Sequence, residues 1–92
     1  MTETKERVDR GQGTGLGEPW HVIVLNDDNN TFEGVTTALS KVIGISFAEG
    51  MGLANRIHTT GQAVVWSGHR EVADHYWNGL QQRGLTMAPL EQ

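Results

Sequence analysis

Trp20-His21-Val22-Ile23-Val24-Leu25 runs straight into Asn26-Asp27-Asp28-Asn29-Asn30. The first six residues are rich in β-branched and aromatic side chains, which fit a pleated surface buried on at least one face. The next five are short amides and carboxylates, which hydrogen-bond their own backbone and turn the chain. A buried strand therefore delivers two carboxylates and three amides to one rim of a small domain. Such a rim is either an acidic turn or a site.

After this turn, apolar residues recur at helical spacing. Thr31 is placed to cap a helix whose buried face is Phe32, Val35, Ala38, Leu39 and Val42, with Gly44 as its stop. Gly34 costs that helix roughly 1 kcal/mol relative to Ala, or else marks a close approach to the backbone. Ser46 and Glu49 have capping-box spacing and open a second helix with Phe47, Met51, Ala54 and Ile57 on one face. Gly50 and Gly52 weaken its middle. It runs to about Thr60, ahead of Gly61, so His58 falls in its last turns. Ala63-Val64-Val65-Trp66 reads as a short strand. Ser67 or His69 then caps a third helix, with Val72, Ala73, Tyr76, Trp77 and Leu80 apolar and Gly84 its stop. Glu71 and His75 lie one turn apart, spaced to pair on its solvent face. Leu85 to Leu90 is expected to form an edge strand, since Pro89 has no N–H for a central ladder. The order β-α-α-β-α-β predicts an α+β fold, a small antiparallel sheet with three helices packed on one face.

The 92 residues hold one domain: a flexible, glycine-rich arm over residues 1–18 and a core over residues 19–92. The chain has no Cys, so it has neither disulfide nor thiolate chemistry. Net charge is -4 without a basic stripe, which argues against nucleic acid and favours a cationic ligand. No apolar run is long enough to span a membrane. The polar start Met1-Thr2-Glu3-Thr4-Lys5 is not a signal peptide, and the expected compartment is the cytoplasm.

Asp28, Asn30 and Phe32 have the spacing of a calcium loop, but Phe32 offers no oxygen there. His21, His58, His69 and Asp28 lack zinc-motif spacing. Asp27 and Asp28 are consecutive, so regular backbone points them apart, and no nucleophile–base spacing accompanies them. Neither a metal, a cofactor nor a catalytic residue is expected. A carboxylate, an amide oxygen and the His58 ring can together accept hydrogen bonds from one ammonium, with Phe32, Val35, Ala54 and Ile57 lining an apolar pocket beside it. A free peptide N-terminus with a bulky first residue has that chemistry. On the residues alone, a plain turn beside a surface histidine is the simpler account.

The stretches Pro19 to Asp28, Thr31-Phe32-Glu33, His58 to Val65 and Arg70-Glu71-Val72-Ala73 resemble the ClpS family, and the resemblance covers about residues 19–92. ClpS is the adaptor that delivers N-end-rule substrates to the Clp AAA+ protease. The resemblance implies a three-stranded antiparallel sheet with three helices and no catalysis. It implies that Asn26, Asp28 and His58 hold a substrate's α-amino group, with Asp27 beside them. Asn30, Phe32, Val35, Ala54 and Ile57 would line the pocket for a first side chain of Leu, Phe, Tyr or Trp, completed by Leu85 or Thr86 from the last strand. A surface including Glu71 would dock on the N-terminal domain of a Clp chaperone, and the N-terminal arm would take part in delivery. Four features depart from the family. Asn29-Asn30-Thr31-Phe32 stands where Tyr-Thr-Pro-Met is common, so the gate methionine is Phe32. The pocket methionine is Ala54. Tyr76 replaces a frequent chaperone-contacting Lys. The segment Gln81 to Ala88 is shortened. These departures motivate an alternative, a Clp-docking regulatory domain that has lost recognition of the N-terminal residue.

Overall fold

A computed structural model describes residues 17–92, and most of the expected arm lies outside the described residues. The elements are β1 (Trp20–Leu25), α1 (Phe32–Ile43), α2 (Phe47–Thr60), β2 (Gln62–Gly68), α3 (Arg70–Gln82) and β3 (Thr86–Met87). The sheet order is β2-β1-β3, with both pairings antiparallel. The strand that ends in the polar cluster is thus the central one.

Alternation along β1 sends Val22 and Val24 into one cluster with Val35, Ala38 and Leu39 of α1, Ala54 and Ile57 of α2, and Ala73 and Leu80 of α3. Val22, Val24, Leu39 and Leu80 are essentially sealed from solvent. Burying each is worth about 1.5–3 kcal/mol, and this cluster holds the helices on their face of the sheet. Between Val22 and Ile23 the register with β2 slips, since Val22 pairs with Trp66 and Ile23 with Val64. The extra residue, Val65, is left on the buried side next to Trp66, which also packs on the core.

The helix ends follow the expected chemistry at α1 and α2. Thr31 Oγ1 accepts from Gly34 N at 2.9 Å, and Gly44 closes α1 with φ +87°. A Cβ at position 34 would lie 3.0 Å from that Thr31 hydroxyl, so the close approach is the cap itself. Ser46 Oγ accepts from Glu49 N at 3.0 Å at the start of α2. Gly50 is a contact rather than a weak point. A Cβ there would stand 3.2 Å from Thr36 O, so the glycine lets α2 sit close on α1.

The third helix and the last strand differ from expectation. His69 occupies the N-cap of α3 without a side-chain hydrogen bond, and the ion pair at the helix start is Arg70–Asp74 at 3.9 Å rather than Glu71–His75. The final strand is two residues long, not six. Beyond it, the chain stays beside β1 through Ala88 N to Ile23 O (3.1 Å) and His21 N to Glu91 O (2.7 Å). Pro89 interrupts the ladder between those bonds because it has no N–H to give.

Candidate functional site

Three pieces of backbone meet at the end of β1. Asn26 N donates to Gly61 O at 2.9 Å, tying the end of the central strand to the residue that closes α2. That bond brings the last turn of α2, which carries His58, beside the polar loop. β3 pairs with β1 at Leu25↔Thr86 and approaches the same loop from the other side.

The two neighbouring aspartates do different work. Asp27 is saturated from within. Its Oδ1 accepts from Asn29 N (2.9 Å) and Asn30 N (2.8 Å), and its Oδ2 accepts from Asn30 Nδ2 (2.9 Å) and the Thr86 hydroxyl. A carboxylate offers about four acceptor positions, and all are used. The Thr86 bond is the main reason its carboxyl is lowered from 3.8 to about 2; desolvation opposes it, and the Asn30 and Asn29 bonds assist. Asn30 extends the latch, because its Nδ2 also donates to Gly84 O at 2.9 Å. Asp28, by contrast, has no bonded partner among the described residues and is exposed at the rim.

The loop and the end of α2 border an open cleft of about 460 Å³ lined by Asn26, Asp27, Asp28, Asn30, Phe32 and His58. No Lys or Arg lies on its wall, and two carboxylates do. The C-terminal turn of α2 adds the partial negative charge of its free carbonyls. The cavity wall is therefore negative on balance, with Asp28 as its unspent acceptor.

The structure gathers the polar residues expected at the site but separates three of the apolar ones from it. Val35, Ala54 and Ile57 are 8 %, 3 % and 2 % exposed and belong to the core cluster behind the cavity. Phe32, 45 % exposed, is the one apolar side chain on the wall. Leu85 is buried in the core, which leaves Thr86 as the exposed position of the last strand. Sequence reasoning missed the Thr86–Asp27–Asn30–Gly84 latch. Its signal was the Asp-x-x-Asn spacing of the turn, but the partner from the last strand is remote in sequence. Of the residues expected to meet a partner, Glu71 is exposed in the first turn of α3. Tyr76 is half-buried, edge-on to Trp66 at 5.1 Å. Helical geometry sets these two positions about 140° apart, so they do not share the centre of one face.

Residues 17–91 match the family model for the ATP-dependent Clp protease adaptor protein ClpS. The ATP-dependent Clp protease adapter protein ClpS of Nostoc sp. (strain PCC 7120) is 49% identical over 73 residues, which is 78% of this chain and 75% of that protein. The adapter ClpS of Synechocystis sp. (strain PCC 6803) is likewise 49% identical, over 77% of this chain and 74% of that one. Among solved structures, Agrobacterium tumefaciens ClpS2 bound to L-phenylalaninamide superposes with a TM-score of 0.72 at 28% identity, over 80% of this chain and 95% of that one. The chain belongs to the ClpS family of Clp protease adaptors. Among the described residues, no helix is long and apolar enough to cross a membrane.

Proposed function

We propose that this chain binds the free N-terminus of peptides or proteins with a bulky hydrophobic first residue and delivers them to a Clp AAA+ chaperone–protease. Asn26, Asp28 and His58 accept hydrogen bonds from the α-ammonium group. Asp27, spent on its own latch, holds the loop in shape and adds negative charge nearby. The first side chain enters the cavity against Phe32. No bond is made or broken, and the adaptor acts by reversible binding.

The observation that carries this reading is the contrast at the rim: one carboxylate fully bonded and its neighbour open, on the wall of a cavity with no cation of its own. The ligand-bound Agrobacterium ClpS2, whose ligand is an aromatic amino-acid amide, supports the same assignment. Each charge-assisted bond to the ammonium contributes about 1.5–3 kcal/mol, and acetylating the amine removes it.

Fluorescence anisotropy with labelled peptides beginning with Leu, Phe, Tyr, Trp, Val or Ala, each beside its N-acetylated twin, tests the assignment. Micromolar or tighter binding of the bulky free-amine peptides, lost on acetylation, is expected. Absence of binding to every peptide, together with capture of a Clp chaperone, would identify a docking domain without N-terminal recognition. For delivery, Glu71→Ala is expected to weaken capture of the chaperone's N-terminal domain while leaving peptide affinity unchanged. Equal capture by the variant would remove Glu71 from the docking surface.

A further inference from the structure

Resting on that binding reading, we propose that Trp77 is a positioning residue for the peptide rim, acting through Ala88 and Thr86 on the Asp27 loop. The strand that brings Thr86 to Asp27 is only two residues long, with Leu25↔Thr86 and Val24↔Met87 as its pairings. Pro89 stops the ladder directly after Ala88. So short a ladder does not by itself fix a side chain at its end. Trp77 of α3 supplies the further hold. Its Nε1–H donates to Ala88 O at 2.7 Å, while Ala88 N donates to Ile23 O at 3.1 Å. The peptide groups on both sides of Ala88 are thus fixed, one to the central strand and one to the helix.

That bond closes a ring of chain. The backbone leaves α3 after Gln82, and the Trp77 side chain ties it back to the same helix at Ala88. Both outside partners of the rim loop, Gly84 O and the Thr86 hydroxyl, lie within this ring. Closing a short ring removes conformations in which those partners swing away from the loop. Met87 and Leu90 of the same segment pack on the core, but burial is non-directional and sets depth rather than the angle of a hydroxyl. The indole is spent on this bond rather than on core filling. Trp20, Trp66 and Tyr76 pack against the core cluster, and Trp77 is not among the side chains that do. An indole N–H is a donor only, so a half-buried one needs such an acceptor. Trp77 stands off the cleft wall, and its effect on the peptide passes through Ala88, Thr86 and Asp27 in turn.

The test uses Trp77→Phe in the full chain, which removes the N–H and keeps an aromatic ring. The readouts are the Asp27 carboxyl titration, followed by NMR, and the affinity for a Phe-initiated peptide. The Thr86 bond is the main cause holding Asp27 at about 2, so its titration is expected to move up from there toward 3.8. The peptide is expected to bind roughly two- to fivefold more weakly, with the loss on acetylation intact. A variant that is merely less stable leaves the Asp27 titration of the folded chain where it was. An Asp27 titration or a peptide affinity equal to that of the unsubstituted chain would overturn the proposal while leaving the N-terminal reading standing. Failure of the peptide to bind the unsubstituted chain would overturn both. If Trp77→Phe does not fold, hydrogen exchange of the Trp77 indole N–H in the unsubstituted chain decides. By linkage, saturating peptide is expected to slow that exchange roughly two- to fivefold, and an unchanged rate would overturn the proposal.

Discussion

The rim at the end of β1 and the start of α3 are both polar surfaces, and they are built in opposite ways. At the rim, Asp27 accepts four hydrogen bonds and Asn30 donates both of its amide hydrogens, linking the turn to β3 and Gly84. At the start of α3, the His69 cap makes no side-chain bond and the Arg70–Asp74 pair is long and solvent-exposed. The difference teaches where geometry is needed. The proposed reading of an ammonium needs acceptors at fixed positions, and the rim is braced from below. The start of α3 is held by the core packing of Ala73 and Leu80 and by the Arg70 guanidinium, 4.5 Å over the Trp20 ring, rather than by a hydrogen-bonded brace.

The largest effect should come from the one rim carboxylate that is not braced. Asp28→Ala is expected to abolish binding of a Phe- or Leu-initiated peptide, with far-UV circular dichroism and Tm unchanged. Retained affinity would break the contrast between the two aspartates. Next is Thr86→Val, which deletes one donor of nearly equal shape. Peptide affinity should weaken roughly three- to tenfold, because the loop loses a charge-assisted bond. It should also change the acid limb. Asp27 is lowered from 3.8 to about 2 in the folded chain, so its contribution to stability is fully present above about pH 4 and is lost as pH falls toward 2. Without Thr86 the carboxyl moves back toward 3.8, so the contribution shrinks and its loss is complete at a higher pH. Acid titrations that superimpose for the two chains would show that Thr86 does not set the Asp27 charge.

The start of α3 should respond in the opposite direction. His69→Asp supplies the missing cap acceptor and a negative charge at a helix N-terminus, and urea unfolding should show a gain of about 1 kcal/mol. A loss would mean that the His69 side chain is held by contacts other than the cap. The smallest effect is expected from Asp74→Ala, within about 0.5 kcal/mol, since an exposed pair at that distance contributes little. A larger loss would place this helix start among the braced regions.

Much of this protein was legible in the chain. The run Trp20–Leu25 predicted a buried strand because its β-branched residues have few other homes, and it became the central strand. Thr31, Gly44, Ser46 and Gly61 bounded two helices because caps act through nearest neighbours, whose geometry sequence spacing already specifies. Asn26, Asp28 and His58 were singled out by the resemblance to the ClpS family, since residue type alone also fitted a plain turn beside a surface histidine, and Asn26 N to Gly61 O is the bond that brings strand end and helix end together. Gly50 looked like a defect because propensity counts only the local backbone. Its value is the space it leaves for Thr36 of another helix.

What only the tertiary structure decided is which polar groups are already spent and which apolar ones are already covered. Asp27 and Asp28 are equivalent as letters. They became a brace and an acceptor because Thr86, far along the chain, arrives beside one of them. Val35 shares a helical pattern with Phe32, and Ala54 and Ile57 lie on the apolar face of the next helix, yet packing buried those three and left the Phe32 ring on the cavity wall. Local interactions are set by spacing along the chain. Hydrogen-bond satisfaction and burial are sums over neighbours from every element, and those neighbours exist only once the chain has folded.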